Sequence, residues 1–361
     1  MKGTRAIRLR QWFTIIISTT LVGLLMSFYD YFLVHTPIVE KLAPVFVFWE
    51  YVVFSGLFGL LSGALIGAFM VYYIQDRFSE KSYGYTVLTL LALVLGAVFI
   101  LSFFGVLFYA SRLTGKPVTH PDSIKMFKEL FFHRVNPIFL IIIPLVALQQ
   151  LLLQISSKFG PGVLWKIIRG TYNGSKTENR IFMFVDLNDS TTLAERLSDE
   201  RYHEFLKNFF ADITTSILDH SGEIYQYLGD GLIIAWTYYG NEKDLHCVQC
   251  FFNMKKEIEE RQEKYKNKFG IVPEFKGGIH CGKVVVGEIG IIKRDISYSG
   301  DVMNTTSRIQ GMCKELGSEL LISSELLRSF PPASNYQTKS AGRIHLKGKE
   351  RDVELHSLQL S

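Results

Sequence analysis

Four residues in the second half of the chain have side chains that can act together on a phosphorylated substrate. Asp186 ends an apolar run, residues 180–187, that is typical of a β-strand, and Asp230 lies in a tight Gly-Asp-Gly turn. Asn304 and Arg308 are four residues apart, which places both on one face of a helix. Carboxylates bind cations, and a guanidinium can clamp a phosphate with its planar fork. Together these residues indicate metal-assisted chemistry at a phosphate group.

Alternating strands and helices must position these residues. The sequence predicts a strand at 180–187, helices at 191–220, 241–269 and 301–316, a hairpin of strands at 223–229 and 232–238, and strands at 274–281 and 283–289. The order β-α-β-β-α-β, with an extra strand and helix, predicts an α+β fold with a ferredoxin-like (split βαβ) sheet. In such a sheet the strand ending at Asp186 neighbours the hairpin that carries Asp230. The two carboxylates are therefore expected to lie close together.

A polar turn at residues 187–191 leads from the first predicted strand into a helix. The backbone N–H groups at a helix N-terminus have no partner within the helix and can cradle a triphosphate. Asn188, Ser190 and Thr191 lie in this turn and are therefore candidate nucleotide-binding residues. Two carboxylates with little other protein ligation suit Mg²⁺, which keeps several waters and accepts phosphate oxygens as ligands. The turn and the carboxylates together predict a site for a metal-bound nucleotide.

The first half of the chain has the composition of a membrane domain. Of the 361 residues, 48% are hydrophobic, and apolar runs occupy residues 12–34, 51–74, 85–110 and 135–155. Each run is long enough to cross a hydrocarbon core about 30 Å thick as a helix. The sequence therefore predicts an α-helical membrane domain with four transmembrane helices at residues 1–155, a linker at 156–179 and a globular domain at 180–361.

Charge distinguishes the two halves and orients the first one. Before residue 156 there are 12 Lys and Arg against 7 Asp and Glu, and from there on 27 of each. A neutral globular half argues against a nucleic-acid partner, because such a partner requires a basic face. Nine Lys and Arg on the N-terminal side of the spans, against six on the other, predict that both ends face the cytoplasm. The protein is thus expected to be a multi-pass protein of the cell (inner or plasma) membrane, with the lipid bilayer as a partner.

Two further features of the membrane half concern packing. Segment 122–133 is amphipathic and is expected to lie in the membrane interface. Gly56, Gly59, Gly63 and Gly67 include the small-xxx-small spacing that lets helices approach closely. This spacing leaves open whether the helices pack within one subunit or between two.

The globular half contains Cys247 and Cys250 close to His246, which invites a metal-binding interpretation. No second Cys or His pair at a suitable spacing completes four ligands. Cys247, Cys250 and Phe251 also form an apolar stripe on a predicted helix. We therefore predict that these cysteines pack in the core.

Three segments of the globular half closely resemble the signature blocks of the class III nucleotidyl cyclases. They read FMFVDLNDST, GEIYQYLGDGLIIAW and SYSGDVMNTTSRIQ. The closing stretch GRIHLKGKERDVELHSL resembles the C-terminal strand pair of that family. The resemblance covers roughly residues 178–359 and is specific, because several motifs agree in order and spacing. It identifies the globular half as a cyclase catalytic domain of the membrane-anchored bacterial type.

The resemblance implies a role for each candidate residue. Asp186, Leu187 and Asp230 match the metal site, which in this family holds two Mg²⁺ or Mn²⁺ ions per active site. Asn304 and Arg308 match the catalytic pair that holds the ribose and stabilises the transition state. The reaction would be attack of the ribose 3′-oxygen on the α-phosphorus, with release of pyrophosphate.

The family also works as a head-to-tail dimer, in which one subunit provides the metals and the other the Asn and Arg. All four core positions are present in this chain, so the resemblance implies a homodimer with two complete sites. Lys347 matches a lysine that binds the terminal phosphates, in a loosely spaced block.

Base recognition is expected at Gln226 and Ser297, which occupy the positions that contact the nucleobase in the family. Ser297 fits the bacterial adenylate cyclases, whereas Gln226 replaces their Lys and carries both a donor and an acceptor. Guanylate cyclases typically place Glu and Cys at these positions. The resemblance therefore favours ATP as the substrate and cyclic AMP as the product, with GTP as the alternative.

Three other functions remain open from the sequence. The first is a guanylate cyclase, and the second is a catalytically inactive nucleotide-binding receptor that signals through its dimer. The intact set of four core residues argues against the second. A transporter with a regulatory cyclase-like tail is the third, and four short-looped helices with few buried charges give it little support.

Overall fold

The computed structural model describes residues 2–34, 48–74, 83–131, 144, 147–149, 151–152, 155, 169–172, 174–240, 245–292, 294–331, 336–346 and 352–360. The chain divides into two compact units, Arg5–Pro161 and Met1–Thr4 with Gly162–Ser361. Lys347, residues 241–244 and most of the apolar run 135–155 lie outside the described residues.

The described part of the first unit consists of three long, largely apolar helices and one short amphipathic helix. They are α1 (Lys2–Val34), α2 (Phe48–Phe69, continued by a π-helical turn at Met70–Ile74), α3 (Tyr83–Thr114) and α4 (Pro121–Leu130). Two stretches of the described residues, Phe48–Tyr73 and Leu91–Thr114, are long and apolar enough to cross a membrane. They correspond to the second and third predicted spans. The first predicted span lies within α1, and most of the fourth lies outside the described residues.

Small residues bring α1 and α2 into close contact within one subunit. A Cβ atom on Gly59 would lie 2.7 Å from the Thr19 carbonyl oxygen, and one on Gly63 would lie 2.1 Å from the Thr19 hydroxyl oxygen. Across the same contact, a Cβ on Gly23 would lie 2.4 Å from the Ser55 carbonyl oxygen. A larger side chain at any of these glycines would separate the two helices.

The amphipathic segment predicted at 122–133 is largely helical, as α4. The His120 ring nitrogen Nδ1 accepts a hydrogen bond from the Asp122 N–H (3.3 Å) and so caps the helix start. The rings of Phe103 in α3 and Phe127 in α4 are 5.0 Å apart in an edge-on contact. The apolar face of α4 therefore packs back on α3.

The second unit is built around an eight-stranded mixed sheet within the described residues. Its strands are β1 (Lys176–Leu187), β2 (Glu223–Leu228), β3 (Gly231–Thr237), β4 (Phe275–Ile289), β5 (Asp295–Ser299), β6 (Leu320–Ser323), β7 (Tyr336–Ile344) and β8 (Val353–Leu360). The strand order is β2-β3-β1-β4-β6-β8-β7, and β5 pairs with β4. The first four strands in this order form the predicted split βαβ arrangement. The parallel pair is β4 with β6.

Two of the helices predicted for this unit are each interrupted and form two shorter helices. The helices of this unit are α5 (Ser190–Arg196), α6 (Asp199–Asp219), α7 (His246–Glu260), α8 (Gln262–Phe269), α9 (Asp301–Glu315) and α10 (Ser324–Leu327). The single helix predicted at 191–220 is two helices, because Leu197 adopts an extended conformation (φ −98°, ψ 141°). The helix predicted at 241–269 is likewise two helices, α7 and α8, separated at Arg261.

The prediction of separate strands at 274–281 and 283–289 is wrong, because both belong to the continuous strand β4. Gly282, the supposed break, lies inside the strand. A Cβ atom on Gly282 would lie 3.2 Å from the Val302 side chain of α9. The glycine therefore permits close packing of a helix on the strand and does not form a turn.

The two faces of the sheet are covered differently. The closed face, covered by α6 and α7, carries the main apolar core, which includes Phe209, Phe251, Cys247 and Cys250. The predicted core position of these two cysteines is confirmed. The open face, on which α9 lies, has a smaller core that includes Phe182, Ile233, Ala235, Val284 and Val302. Successive β1 residues point to alternate faces.

Candidate functional site

Asp186 and Asp230 lie side by side at the edge of the open face. Asp186 pairs with Gly231 across β1 and β3, so the β2–β3 turn that holds Asp230 lies next to Asp186. Gly229 in this turn has a left-handed conformation (φ +59°), which favours glycine. A Cβ on Gly231 would lie 2.6 Å from the Val185 carbonyl oxygen. The two glycines of the Gly-Asp-Gly motif thus allow the turn to approach β1.

The electrostatics of this pair favour a bound cation. Burial raises the pKa of Asp186, and the negative charge of Asp230 raises it further. A hydrogen bond with the Gln310 side chain and the positive charge of Lys276 lower the pKa of Asp186. Burial and both carboxylates also raise the pKa of the Tyr202 hydroxyl, which places Tyr202 near the pair. A divalent cation between the carboxylates would relieve their repulsion.

The donor set fits a hard cation such as Mg²⁺ or Mn²⁺. Among the described residues there is no group of three or more His, Cys, Asp or Glu that could hold a metal ion. Asp186 and Asp230 would supply two carboxylate ligands, with water and substrate oxygens among the others. The Leu187 side chain is buried in the closed face, so the backbone carbonyl is the atom of Leu187 that can contact a metal.

The turn after β1 presents backbone donors next to the carboxylates. Asp189 adopts the left-handed conformation (φ 49°) and begins α5, whose first backbone hydrogen bond runs from the Leu193 N–H to the Asp189 carbonyl (3.0 Å). The N–H groups of Ser190 and Thr191 precede this bond and have no partner within the helix. The Asn188 N–H donates to the Glu274 carbonyl oxygen (2.8 Å), which fixes the turn to β4.

Asn304 and Arg308 lie on α9 away from the buried side of that helix. The side chains that bury α9 against the sheet are Val302, Thr305, Thr306, Ile309 and Cys313. Asn304 is exposed, and Arg308 is half-buried. Among the described residues, the charged groups that shift the pKa of Asp186 are Asp230 and Lys276, and Arg308 is not one of them. The side chains of Asn304 and Arg308 therefore face away from the buried side of α9.

The two predicted base-recognition residues lie on separate strands of the same sheet. Gln226 is exposed in β2, directly after a bulge that interrupts the β2–β3 pairing between Ile224 and Gln226. Ser297 is half-buried in β5, opposite Gly287 of β4. Lys347, the predicted phosphate ligand, lies outside the described residues.

The sequence pattern missed three residues around Asp186. Lys276 lies opposite Asp186 in the β1–β4 pairing, and a single sequence does not define that register. Gln310 lies two residues after Arg308 and reaches Asp186 because α9 packs directly on Gly278, where a Cβ would lie 2.4 Å from the Gln310 nitrogen. Tyr202 lies on α6. The glycine at 278 is the signal in the sequence that could have indicated the close helix contact.

Comparisons with known proteins agree with this geometry. A family model described as the adenylate and guanylate cyclase catalytic domain matches residues 173–359, more than half of the chain. Adenylate cyclase 2 of Rhizobium meliloti (strain 1021) is 29% identical over 321 residues, which cover 87% of this chain and 80% of that protein. A match of this length extends into the apolar unit as well.

Two further similarities cover a smaller part of the chain. The adenylate cyclase of Anabaena cylindrica is 23% identical over 188 residues, which cover 51% of this chain and only 38% of that protein. A bacterial light-regulated adenylyl cyclase of known structure has a TM-score of 0.51 and 19% identity, and the alignment covers 61% of this chain and 65% of that chain. The structural similarity concerns the fold alone.

Proposed function

Because the chain belongs to the adenylate and guanylate cyclase family, we propose that it is a membrane-anchored adenylate cyclase, which converts ATP to 3′,5′-cyclic AMP and pyrophosphate. The observation that carries this proposal is the pair of adjacent, mutually repelling carboxylates Asp186 and Asp230. Two Mg²⁺ or Mn²⁺ ions held there would neutralise the phosphate charge and favour deprotonation of the ribose 3′-hydroxyl. A binding-only receptor would have no need for the complete set of Asp186, Asp230, Asn304 and Arg308.

The chain's own residues position the reacting groups. The carboxylates would hold the metal ions that accompany the triphosphate, and the N–H groups of Ser190 and Thr191 bind its phosphate oxygens. Asn304 orients the ribose so that its 3′-oxygen lies in line with the α-phosphorus. Arg308 stabilises the negative charge that develops on the transferred phosphoryl group.

We place each active site between two subunits of a homodimer. Arg308 does not shift the pKa of the Asp186 in its own chain, and both α9 residues face outward. In a two-fold dimer, Asn304 and Arg308 of one subunit can approach the carboxylates of the other, and the same contact is then made twice. The lipid bilayer is the second partner, because two helices are long and apolar enough to cross it.

Turnover of the full-length protein in detergent or lipid tests the proposal. Wild type is expected to form cyclic AMP from ATP with Mg²⁺ or Mn²⁺, and Arg308→Ala is expected to lose at least about a hundredfold in kcat. Ser307→Ala, an exposed neighbour on the same helix, is the matched control and should retain activity. Cyclic GMP as the main product would instead support a guanylate cyclase. Nucleotide binding without any cyclic product would support the inactive receptor.

Mixing two inactive variants tests the shared site. Asp186→Ala and Arg308→Ala subunits, combined before dimerisation, form heterodimers with one intact site. Random pairing is expected to restore about a quarter of the wild-type rate. A mixture as inactive as its components would contradict a site built from two subunits.

The choice between ATP and GTP depends on Gln226 and Ser297. Adenine presents an acceptor at N1 and a donor at N6, whereas guanine presents a donor at N1 and an acceptor at O6. The Gln226 amide can rotate to serve either base, so we expect weaker discrimination than a Lys would give. Gln226→Lys is therefore expected to raise the ratio of kcat/KM for ATP over GTP by about tenfold. An unchanged ratio would show that Gln226 does not contribute to base recognition.

A further inference from the structure

The second unit contains a buried cation that the proposed mechanism does not use. The Arg180 side chain is only 6% exposed and forms ion pairs with Glu178 (2.7 Å) and Glu223 (3.6 Å). It also donates a hydrogen bond to the Thr237 hydroxyl (3.4 Å). A buried charge is expensive to desolvate unless its partners are well placed. The buried Arg180 and its partners are therefore expected to hold neighbouring residues in position.

Arg180 lies against an aromatic residue next to a predicted base-recognition residue. Its guanidinium carbon is 5.5 Å from the centre of the Tyr298 ring, within cation–π distance. The Tyr298 ring also makes edge-on contacts with Phe182 (5.4 Å) and Tyr225 (4.9 Å). Tyr298 directly follows Ser297 in β5. The position of the Ser297 backbone is thus held by a half-buried neighbour that is packed on three sides.

Tyr225 connects the two base-recognition strands directly. Its hydroxyl oxygen accepts a hydrogen bond from the Tyr298 N–H (3.3 Å), which belongs to the peptide bond between Ser297 and Tyr298. Tyr225 itself immediately precedes Gln226, at the bulge in β2. A bulge gives one strand an extra residue and re-aims the side chains beside it. The hydrogen bond therefore sets the spacing between Gln226 and Ser297.

The chain segment that precedes β1 contacts the same group of residues. Tyr172 is buried, and its carbonyl accepts a hydrogen bond from the Glu288 N–H (3.3 Å). Glu288 pairs with Ile296, the residue before Ser297. Burial raises the pKa of the Tyr298 hydroxyl, Arg180 lowers it, and Tyr172 is among the groups that raise it again, so the two tyrosines are close.

We infer that Tyr225, Tyr298 and Arg180 form a positioning layer that holds Gln226 and Ser297 at the separation needed to recognise one nucleobase. These three residues are positioning residues, since they act through their neighbours and not on the substrate. The inference rests on the proposed function, because it assigns base recognition to Gln226 and Ser297. It predicts that the layer controls nucleotide preference and leaves the phosphate chemistry at Asp186 and Asp230 unchanged.

Tyr225→Phe tests the layer, because it removes the hydrogen-bond acceptor and keeps the ring. In full-length protein it is expected to reduce the wild-type preference between ATP and GTP, measured as kcat/KM, roughly three- to tenfold. The change should appear mainly in KM, with kcat at saturating nucleotide within about twofold of wild type. A merely structural role would lower kcat for both nucleotides alike, and that outcome would overturn the inference.

Tyr227→Phe is the matched control. Tyr227 lies on the same strand, and its ring contacts Phe210 of α6 (4.9 Å) on the closed face. Its hydroxyl is hydrogen-bonded to Thr214, so the control also loses a tyrosine hydrogen bond. Its nucleotide preference is expected to match wild type. Equal preferences in Tyr225→Phe and Tyr227→Phe would overturn the inference.

Equilibrium binding separates this inference from the proposed function. The probes are 3′-deoxy-ATP and 3′-deoxy-GTP, which lack the attacking oxygen, titrated by calorimetry in the presence of Mg²⁺. A wild type without cyclic product would refute the proposed function, yet the ratio of the two dissociation constants would still report on the layer. Arg180→Lys keeps the charge but loses the planar fork, and it is expected to change this ratio in the same direction as Tyr225→Phe. An unchanged ratio in both variants would overturn the inference alone.

Discussion

The two faces of the catalytic sheet differ although the same strands build both. On the closed face, Ile181, Met183 and Val185 of β1 are fully or almost fully buried under α6 and α7. On the open face, the alternate residues of β1 run from Arg180 through aromatic side chains to Asp186. The odd-numbered residues of this strand therefore pack in the main core, whereas its even-numbered residues place polar groups, Arg180 and Asp186, on either side of the smaller aromatic core.

This difference between the faces predicts which property of the protein a substitution on each face will change. Apolar contacts on the closed face are non-directional, so their contribution depends on buried area and packing. Outside its smaller apolar core, the open face makes directional hydrogen bonds and charge pairs, which depend on position within a few tenths of an ångström. A substitution in the core of the closed face should therefore change stability, and one among the polar groups of the open face should change activity or specificity.

The largest expected effect is on activity, at the carboxylate pair. Asp230→Asn keeps the shape of the side chain and removes the charge that holds a metal ion. We expect kcat to fall on the order of a thousandfold, with little loss of thermal stability. Asp199→Asn, an exposed carboxylate in the first turn of α6, is the control and should retain activity. Comparable kcat values for the two variants would contradict the division between the faces.

The closed face should give the opposite result. Phe209 is fully buried, and its ring lies 5.5 Å from the ring of Phe275. Phe209→Ala is expected to lower the unfolding free energy of the catalytic unit by about 3–5 kcal/mol, through lost burial and a residual cavity. Denaturant unfolding monitored by tryptophan fluorescence measures this change. The activity per folded molecule should remain near that of wild type. A thousandfold loss of activity per folded molecule would contradict the assignment of stability to the closed face and activity to the open face.

The sequence predicted the closed face better than the open one. A continuous apolar run identified β1, the tight Gly-Asp-Gly turn identified the hairpin of β2 and β3, and the order of elements predicted the split βαβ core. The helix breaks at Leu197 and Arg261 were missed, because apolar periodicity continues across both of them. The predicted strands 274–281 and 283–289 were separated at Gly282, since a glycine in a sequence looks the same whether it bends a strand or admits a helix.

The open face depended on contacts between distant residues. The split βαβ order predicted that Asp230 would lie near Asp186, and the raised pKa of Asp186 supports this proximity. Arg180 gave no such signal, because its partners Glu223 and Tyr298 are far away in the chain. In the apolar unit, length and composition alone identified two of the helices that can cross a membrane. The periodicity of apolar residues predicts helices and strands, whereas the register of strand pairing determines which polar groups come into contact.

An intermediate effect is expected where α9 packs on the open face. A Cβ on Gly278 would lie 2.4 Å from the Gln310 nitrogen and 2.7 Å from its Cα, both backbone atoms. Gly278→Ala must therefore displace the helix that carries Asn304 and Arg308. We expect a loss of about 1–3 kcal/mol in unfolding free energy, and a fall in kcat of at least about tenfold. Stability is measured by denaturant unfolding and kcat by cyclic nucleotide formation.

Gly311→Ala on the same helix is the control for this displacement. A Cβ at this position would meet nothing within 4 Å. Because alanine favours helix more than glycine does, this variant is expected to gain roughly 0.5–1 kcal/mol in stability and to keep its activity. If both variants retained full activity, the placement of α9 would not limit catalysis.

The smallest expected effect is a pH dependence of stability in the metal-free protein. Burial and the charge of Asp230 raise the pKa of Asp186 in the folded state. The folded state then binds this proton more tightly than the unfolded state does, so the unfolding free energy decreases as the pH rises above about 3.9, the ordinary pKa of Asp. Metal-free Asp186→Asn should therefore melt at a higher temperature than wild type at pH 7. The difference should shrink as the pH approaches 4.

Adding the metal with a nucleotide should reverse this order, because only the charged carboxylate gains a ligand that stabilises the folded state. Wild type is then expected to gain melting temperature on addition of Mg²⁺ and 3′-deoxy-ATP, and Asp186→Asn to gain much less. The reversal would show that the open face gives up stability to keep a charge pair for its ligand, whereas the closed face does not. If metal-free wild type were the more stable protein at pH 7, repulsion between the carboxylates would not be what the ligand relieves.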